Sequence, residues 1–302
     1  MAAYTFPKET FQIASSPDET IFYCAANAVF VYDPAEGKNI QRIPKSGNCF
    51  VSVAAEGNRV AFCKTSGEVM VYDIGRPHTL VYEGKANCNT ICKGAITPNG
   101  EYVLIGGEKH VTAISVSDGK KRILYTVEEN HNVYGIDCSK KGILITSKAV
   151  HGSPITSAIV YFKYIDDPSP QVWRVSKDYD FDFFRAYWVN QDRVALTYCG
   201  NKIKGIQYLD IHDENPAIST RLDVVCESFR HIAAFSHTGK YYALSRGIIQ
   251  PEYVSLYLAS DNRLLKTFHA RYAYEIEFSQ KDTYLLIGSS DPPQILKISD
   301  FE

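Results

Sequence analysis

Three carboxylates alternate with aromatic residues in Asp178-Tyr-Asp-Phe-Asp-Phe-Phe184. In an extended segment successive side chains point to opposite faces, so Asp178, Asp180 and Asp182 would share one face. Such a row supplies the hard oxygen ligands that Ca²⁺ takes, although the flanking Lys177 and Arg185 would equally make it a salt-bridged edge. Asp166-Asp167 is the other acidic cluster. Cys88 and Cys92 are the closest thiols, and no second Cys/His cluster completes a zinc set around them. The eight histidines show no i,i+2 or i,i+4 pairing and read as surface or turn residues. Neither a glycine-rich phosphate loop, nor His-Glu-x-x-His, nor Gly-x-Ser-x-Gly occurs. The sequence therefore predicts no catalytic residue, no metal site and no cofactor.

The elements that must position these residues are strands. Among 302 residues there are 21 Tyr against two Met and two Trp, a balance that favours strands over helices. With 45% hydrophobic residues the chain has ample material for a core, which excludes disorder. A net charge of −2 argues against a sequence-independent nucleic-acid binder, and Lys120-Lys-Arg122 and Lys140-Lys141 read as solvated faces. The start, Met1 to Pro7, lacks the basic and apolar regions of a signal peptide. No stretch approaches the roughly 18 apolar residues of a membrane span. Cys24, Cys63 and Cys199 end apolar runs and read as buried thiols. Together these features predict a cytoplasmic or nuclear protein with reduced cysteines and no membrane partner.

A unit recurs about every 40 residues. Its clearest copy is Ile232-Ala-Ala-Phe-Ser-His-Thr-Gly239 followed by Lys240-Tyr-Tyr-Ala-Leu-Ser245, an apolar strand, a Ser-x-x-Gly turn and a second strand. Gly94–Gly106, Ile136–Thr146 and Val51–Phe62 repeat it, and looser copies start at Ile13, Ala186 and Ile276. Third strands follow, with Val29-Phe-Val-Tyr-Asp33 and Val69-Met-Val-Tyr-Asp73 nearly duplicated. Asp118-Gly119 and Asp261-Asn262 then make hairpin turns to a fourth. Four short strands per unit without helical periodicity predict an all-β, seven-bladed β-propeller of four-stranded antiparallel blades. The blades span approximately 11–43, 50–84, 91–127, 133–175, 181–224, 229–269 and 273–302. Residues 3–6, an unassigned β-prone segment ahead of Pro7, would supply the last blade's fourth strand and close the ring.

The Val-Tyr-Asp strand endings and Ser/Thr-x-x-Gly turns resemble the WD-repeat family over nearly the whole chain, from about Phe11 to Ile298. The Gly-His pair of that family is missing from every unit, and Tyr stands where Trp would. The resemblance implies a propeller and a binding role.

Aligning the units on their turns sorts the innermost strands into columns. Val51, Gly94, Ile136, Ala233 and Ile276 form an apolar one, as do Val53, Ile96, Cys138, Phe235 and Phe278, and both should pack between blades. Between them Ser52, Ala95, Asp137, Ala234 and Glu277 are mostly small and fit a channel wall. A further column, Gln12, Phe50, Lys93, Gly135, Arg185, Ile232 and Glu275, falls at the channel mouth, as a solvated rim or a contact ring. The connections 147–157 and 245–252 are longer than their counterparts and lie on one face. Loops held by a rigid scaffold are where function concentrates. Arg and aromatic residues gather in the same sector, the composition of interface hot spots. The expected function is a non-catalytic scaffold or adaptor subunit, a monomeric propeller within a hetero-complex, that binds other proteins through the face around blades 4–6. His151, Phe183, Arg185, Tyr187, Arg246, Gln250 and Tyr253 are the candidate contacts. The alternative is a ligand-binding or hydrolytic propeller whose channel is lined by Asp137, Glu277, Lys93 and Arg185.

Overall fold

In a computed structural model, residues 10–25, 28–44, 49–86, 88, 93–149, 155–176, 183–189, 192–199, 204–212, 223–225, 229–246 and 252–302 are described. They form seven antiparallel sheets arranged in sequence order, six of four strands and a last one of three among the described residues. The innermost strands are Gln12–Ser15, Cys49–Val53, Lys93–Ile96, His131–Ser139, Phe183–Trp188, Phe229–Phe235 and Glu275–Phe278. Each packs on the next, and the seventh packs back on the first, so the sheets close a ring. The protein is a seven-bladed β-propeller. No helix among the described residues is long and apolar enough to cross a membrane.

Alternating apolar positions on inner and second strands make a core layer at each seam between blades. Phe22 and Cys24 of blade 1 pack with Val60 and Phe62 of blade 2, and Ala234 and Tyr241 of blade 6 with Ile276 and Phe278 of blade 7. At the closing seam Ile13, Ile21 and Tyr23 bury against Leu286. Thr10 N–H donates to the Ser289 carbonyl there at 2.9 Å. The expected closing strand, residues 3–6, lies outside the described residues.

Blades 1, 3, 6 and 7 place a left-handed residue in the turn after the inner strand. Gly100 (φ 72°) and Gly239 (φ 70°) fill that place and donate N–H to Thr97 and Ser236 carbonyls. In blades 1 and 7, Glu19 (φ 70°) and Asp282 (φ 57°) occupy it instead. Both strained residues are held by the neighbouring blade's turn. The Asp282 carboxylate accepts the N–H groups of His237 and Thr238 at 2.8 Å, and that of Glu19 accepts Lys281 N–H and the Ser279 hydroxyl.

The strand-ending Asp residues are structural: Asp33 accepts Ala35 and Glu36 N–H and pairs with Arg76, and Asp73 pairs with Arg59 at 3.0 Å. Two expectations are corrected. The segment 147–157 is not mainly a loop. Its strands run Gly142–Ala149 and Ile155–Phe162, pairing Ser147 with Ala158 and Lys148 with Ser157, so the extra length lengthens the hairpin. Two of the histidines expected at the surface are buried, His78 against the Phe22 ring and His131 beneath the blade 3–4 link.

Candidate functional site

Seven inner strands present their free edges to the channel, and their N–H groups there have no ladder partner. Side chains of the preceding blade supply one. Ser52 Oγ accepts Ile96 N–H at 3.1 Å, Thr146 Oγ1 accepts Ala186 N–H at 3.3 Å, Asp137 Oδ2 accepts Trp188 N–H at 3.1 Å, and Tyr187 OH accepts Ala233 N–H at 3.4 Å. The column expected to line the channel is therefore partly a seam. Its alanines Ala95 and Ala234 are buried, small enough for adjacent blades to approach.

The outer column is no solvated rim. Lys93 of blade 3, Arg185 of blade 5 and Glu275 of blade 7 reach across the mouth, with Lys93 Nζ 3.3 Å and Arg185 Nη1 3.8 Å from the Glu275 carboxylate. Their side chains keep only 14%, 19% and 13% of their surface exposed. Lys93 also lies over the Phe50 ring at 5.6 Å. Burial works against the Glu275 charge, but Lys93 and Arg185, helped by Gln12, outweigh it and hold the carboxyl below its usual range.

One level deeper, two residues further along each strand, stand Asp137 and Glu277. Burial pushes both carboxyls up, that of Glu277 well up with the help of Glu275 and Asp137 nearby. Glu277 accepts no hydrogen bond among the described residues, the one carboxylate of this group without a donor.

The residues expected to touch partners are dispersed. Arg185 points into the channel and Tyr187 into the seam with blade 6, away from the rim expected of them. Arg246 and Tyr253 face each other across neighbouring strands of blade 6, with Arg246 donating to Tyr257 OH at 3.2 Å and Tyr253 edge-on to His269. Phe183 belongs to the inner strand of blade 5. His151 and Gln250 lie outside the described residues, as do Asp178, Asp180, Asp182 and Cys92. Cys24 and Cys63 are fully buried, and burial pushes the Cys63 thiol up to about 12.

Solved structures share this architecture. Kuenenia stuttgartiensis hydrazine synthase matches with a TM-score of 0.74 at 14% identity, over 98% of this chain and 97% of that one. The RRP9 WD40 repeats match at 0.68 and 12%, over 95% and 89%. The fold is that of the WD40 propellers. The β-propeller domain of Cps50 (Swd1) from Myceliophteria thermophila gives 0.72 at 11%, over 98% and 99%. No protein-family model and no curated protein sequence matches the chain. At such identities the WD40 likeness carries the fold alone, and function must be argued from surfaces.

Proposed function

We propose that the protein is a non-catalytic interaction platform, a subunit that engages protein partners through the loop-bearing face around blades 4–6. The observation that carries this reading is the length of blade 4. Its first three strands have 9, 8 and 8 residues, where the other inner strands have four to seven. The second strand exceeds its counterparts by one to three residues, which at about 3.3 Å per residue carries the hairpin roughly 3–10 Å further along the strand direction. His131 pairs with Ala149 at its far end, so the hairpin extends toward the face where chain enters each inner strand. Beside that face blade 6 offers Arg246, Tyr253 and His269, an Arg–aromatic group of the hot-spot kind. WD40 propellers typically serve as platforms in protein complexes, and that analogy supports the same reading.

Capture of partners by the purified chain tests it. The parent should retain a defined set of proteins over blank resin. Replacing 150–154 by Asn-Gly, or Tyr253→Ala with Arg246→Ala, should reduce capture by about 1 kcal/mol or more at a true hot spot while the melting temperature holds. Capture equal to blank resin, or untouched by both variants, refutes the reading.

A further inference from the structure

Large exposed apolar side chains are few among the described residues. Leu80, Val81, Ile123 and Leu264 lie on outer strands, and Tyr164 in the turn before one. Tyr272 (45% exposed) and Tyr274 (36%) stand instead on the loop-bearing face, in the link from the last strand of blade 6 to the inner strand of blade 7. Neighbouring connections hold this link firmly. Glu252 of blade 6 accepts Tyr272 N–H, Asp291 of blade 7 accepts Arg271 N–H at 2.9 Å, and Ser290 N–H donates to the Arg271 carbonyl at 2.9 Å. Tyr274 donates its N–H to the Gly288 carbonyl at 2.8 Å, and its OH lies 2.9 Å from Ser290 Oγ. Its ring packs on Phe11, at the entry to blade 1, with centroids 5.2 Å apart. Tyr272 is left-handed (φ 48°), a strained backbone for a bulky residue that persists only where the surroundings over-determine it. The patch is therefore ordered before any partner arrives, which lowers the entropic cost of binding.

Its charges point to the occupant. Both carboxylates serve the link itself: Glu252 is buried, and Asp291 also lies 3.7 Å from His269 Nδ1. Arg271 is exposed, and its guanidinium makes no ion pair or hydrogen bond with the described residues. What the patch turns outward is aromatic and cationic. We propose that Phe11, His269, Arg271, Tyr272 and Tyr274 dock an acidic peptide segment of a partner protein, in which an Asp or Glu stands beside an aromatic or aliphatic residue. The carboxylate takes the planar fork of Arg271, which matches it bidentately, and the neighbouring side chain covers the tyrosine rings. A basic segment is the poorer fit, because the link already engages the carboxylates it would need. The inference rests on the platform reading and extends the working face from Arg246, Tyr253 and His269 across blade 7 to blade 1.

A degenerate octapeptide library, blocked at both ends and passed over the immobilised protein, reads the preference directly. Retained peptides should be enriched in Asp and Glu next to Phe, Tyr, Trp or Leu. The most enriched peptide, resynthesised with a fluorophore, is then titrated by anisotropy. Arg271→Gln should weaken it at least about fivefold and flatten its salt dependence. Tyr272→Gly should weaken it to a similar degree and hold its melting temperature, since glycine adopts the left-handed backbone without strain, so the variant is its own folded control. Enrichment of basic peptides, or no enrichment at all, overturns the proposal. So does binding that either variant leaves unchanged. If the parent still captures proteins over blank resin, the platform reading stands while this assignment falls; an empty library together with capture equal to blank resin removes both.

Discussion

Glu275→Gln removes the hub of the cross-channel bridge. At 3.3 and 3.8 Å, with an effective dielectric near 20, Lys93 and Arg185 attract the carboxylate by about 5 and about 4 kcal/mol, before the cost of desolvating all three groups. Breaking a buried pair from one side generally costs about 3–5 kcal/mol, because the orphaned charge stays buried. Here Glu277 can take over part of the role. Once the Glu275 charge is gone, a repulsion that keeps Glu277 protonated disappears and Lys93 is freed to favour its ionised form. The expected loss is therefore at the low end, about 3 kcal/mol at pH 5 and less at pH 8, where ionised Glu277 is more favoured than at pH 5. Urea denaturation at the two pH values measures it, and the melting temperature at pH 5 should drop by roughly 5 °C. Lys93→Met in the same chain should recover part of the loss, since one orphaned cation goes with it. A cost below about 1 kcal/mol at both pH values, or a larger cost at pH 8, would refute the reasoning.

Glu277→Gln should alter the pH dependence of stability. The folded state holds the Glu277 proton above the usual 4.5, so the parent loses stability as pH rises from there through the raised value, and urea midpoints of the variant should show a flatter slope. Ser52→Ala leaves Ile96 N–H without its acceptor and should cost about 1 kcal/mol by chemical denaturation. Gly106→Ala would place a Cβ 2.6 Å from Val133 Cγ1, a clash between blades 3 and 4 worth about 1–3 kcal/mol. Adding Val133→Ala should return part of that in the same assay, and no recovery would show that the glycine acts through its backbone.

Much of the ring was legible because the unit repeats. Apolar inner strands, Ser/Thr-x-x-Gly turns and Val-Tyr-Asp endings recur in register, and the structure places each as a strand or turn. Units 1 and 7 read as loose copies because Glu19 and Asp282 stand where glycine is expected. Their left-handed backbone is held by bonds to a neighbouring blade, which no local pattern reports. The long hairpin of blade 4 looked like a loop because Ser147, Ser157 and their neighbours are polar, yet both serines are buried in strands. Arg185 sits among aromatic residues in sequence and so resembled a rim contact. The signal for its inward role was available in the column it shares with Lys93 and Glu275. In a closed ring, opposite charges at one level of the inner strands face one another across the axis.

That bridge also bears on how the molecule comes apart. Lys93 and Glu275 are 182 residues apart in the chain, and neither blade 3 and blade 7 nor blade 5 and blade 7 are neighbours in the ring. Blades can form from local hairpins and add to one another in order, but a chord between distant blades exists only after the last seam has joined the first. Contacts made so late are absent from the folding transition state, so they act on the rate of escape rather than the rate of assembly. The three side chains thus behave as a kinetic clasp: weakening them should hasten unfolding and leave refolding nearly untouched, so that the whole loss of stability appears as a shorter lifetime of the ring.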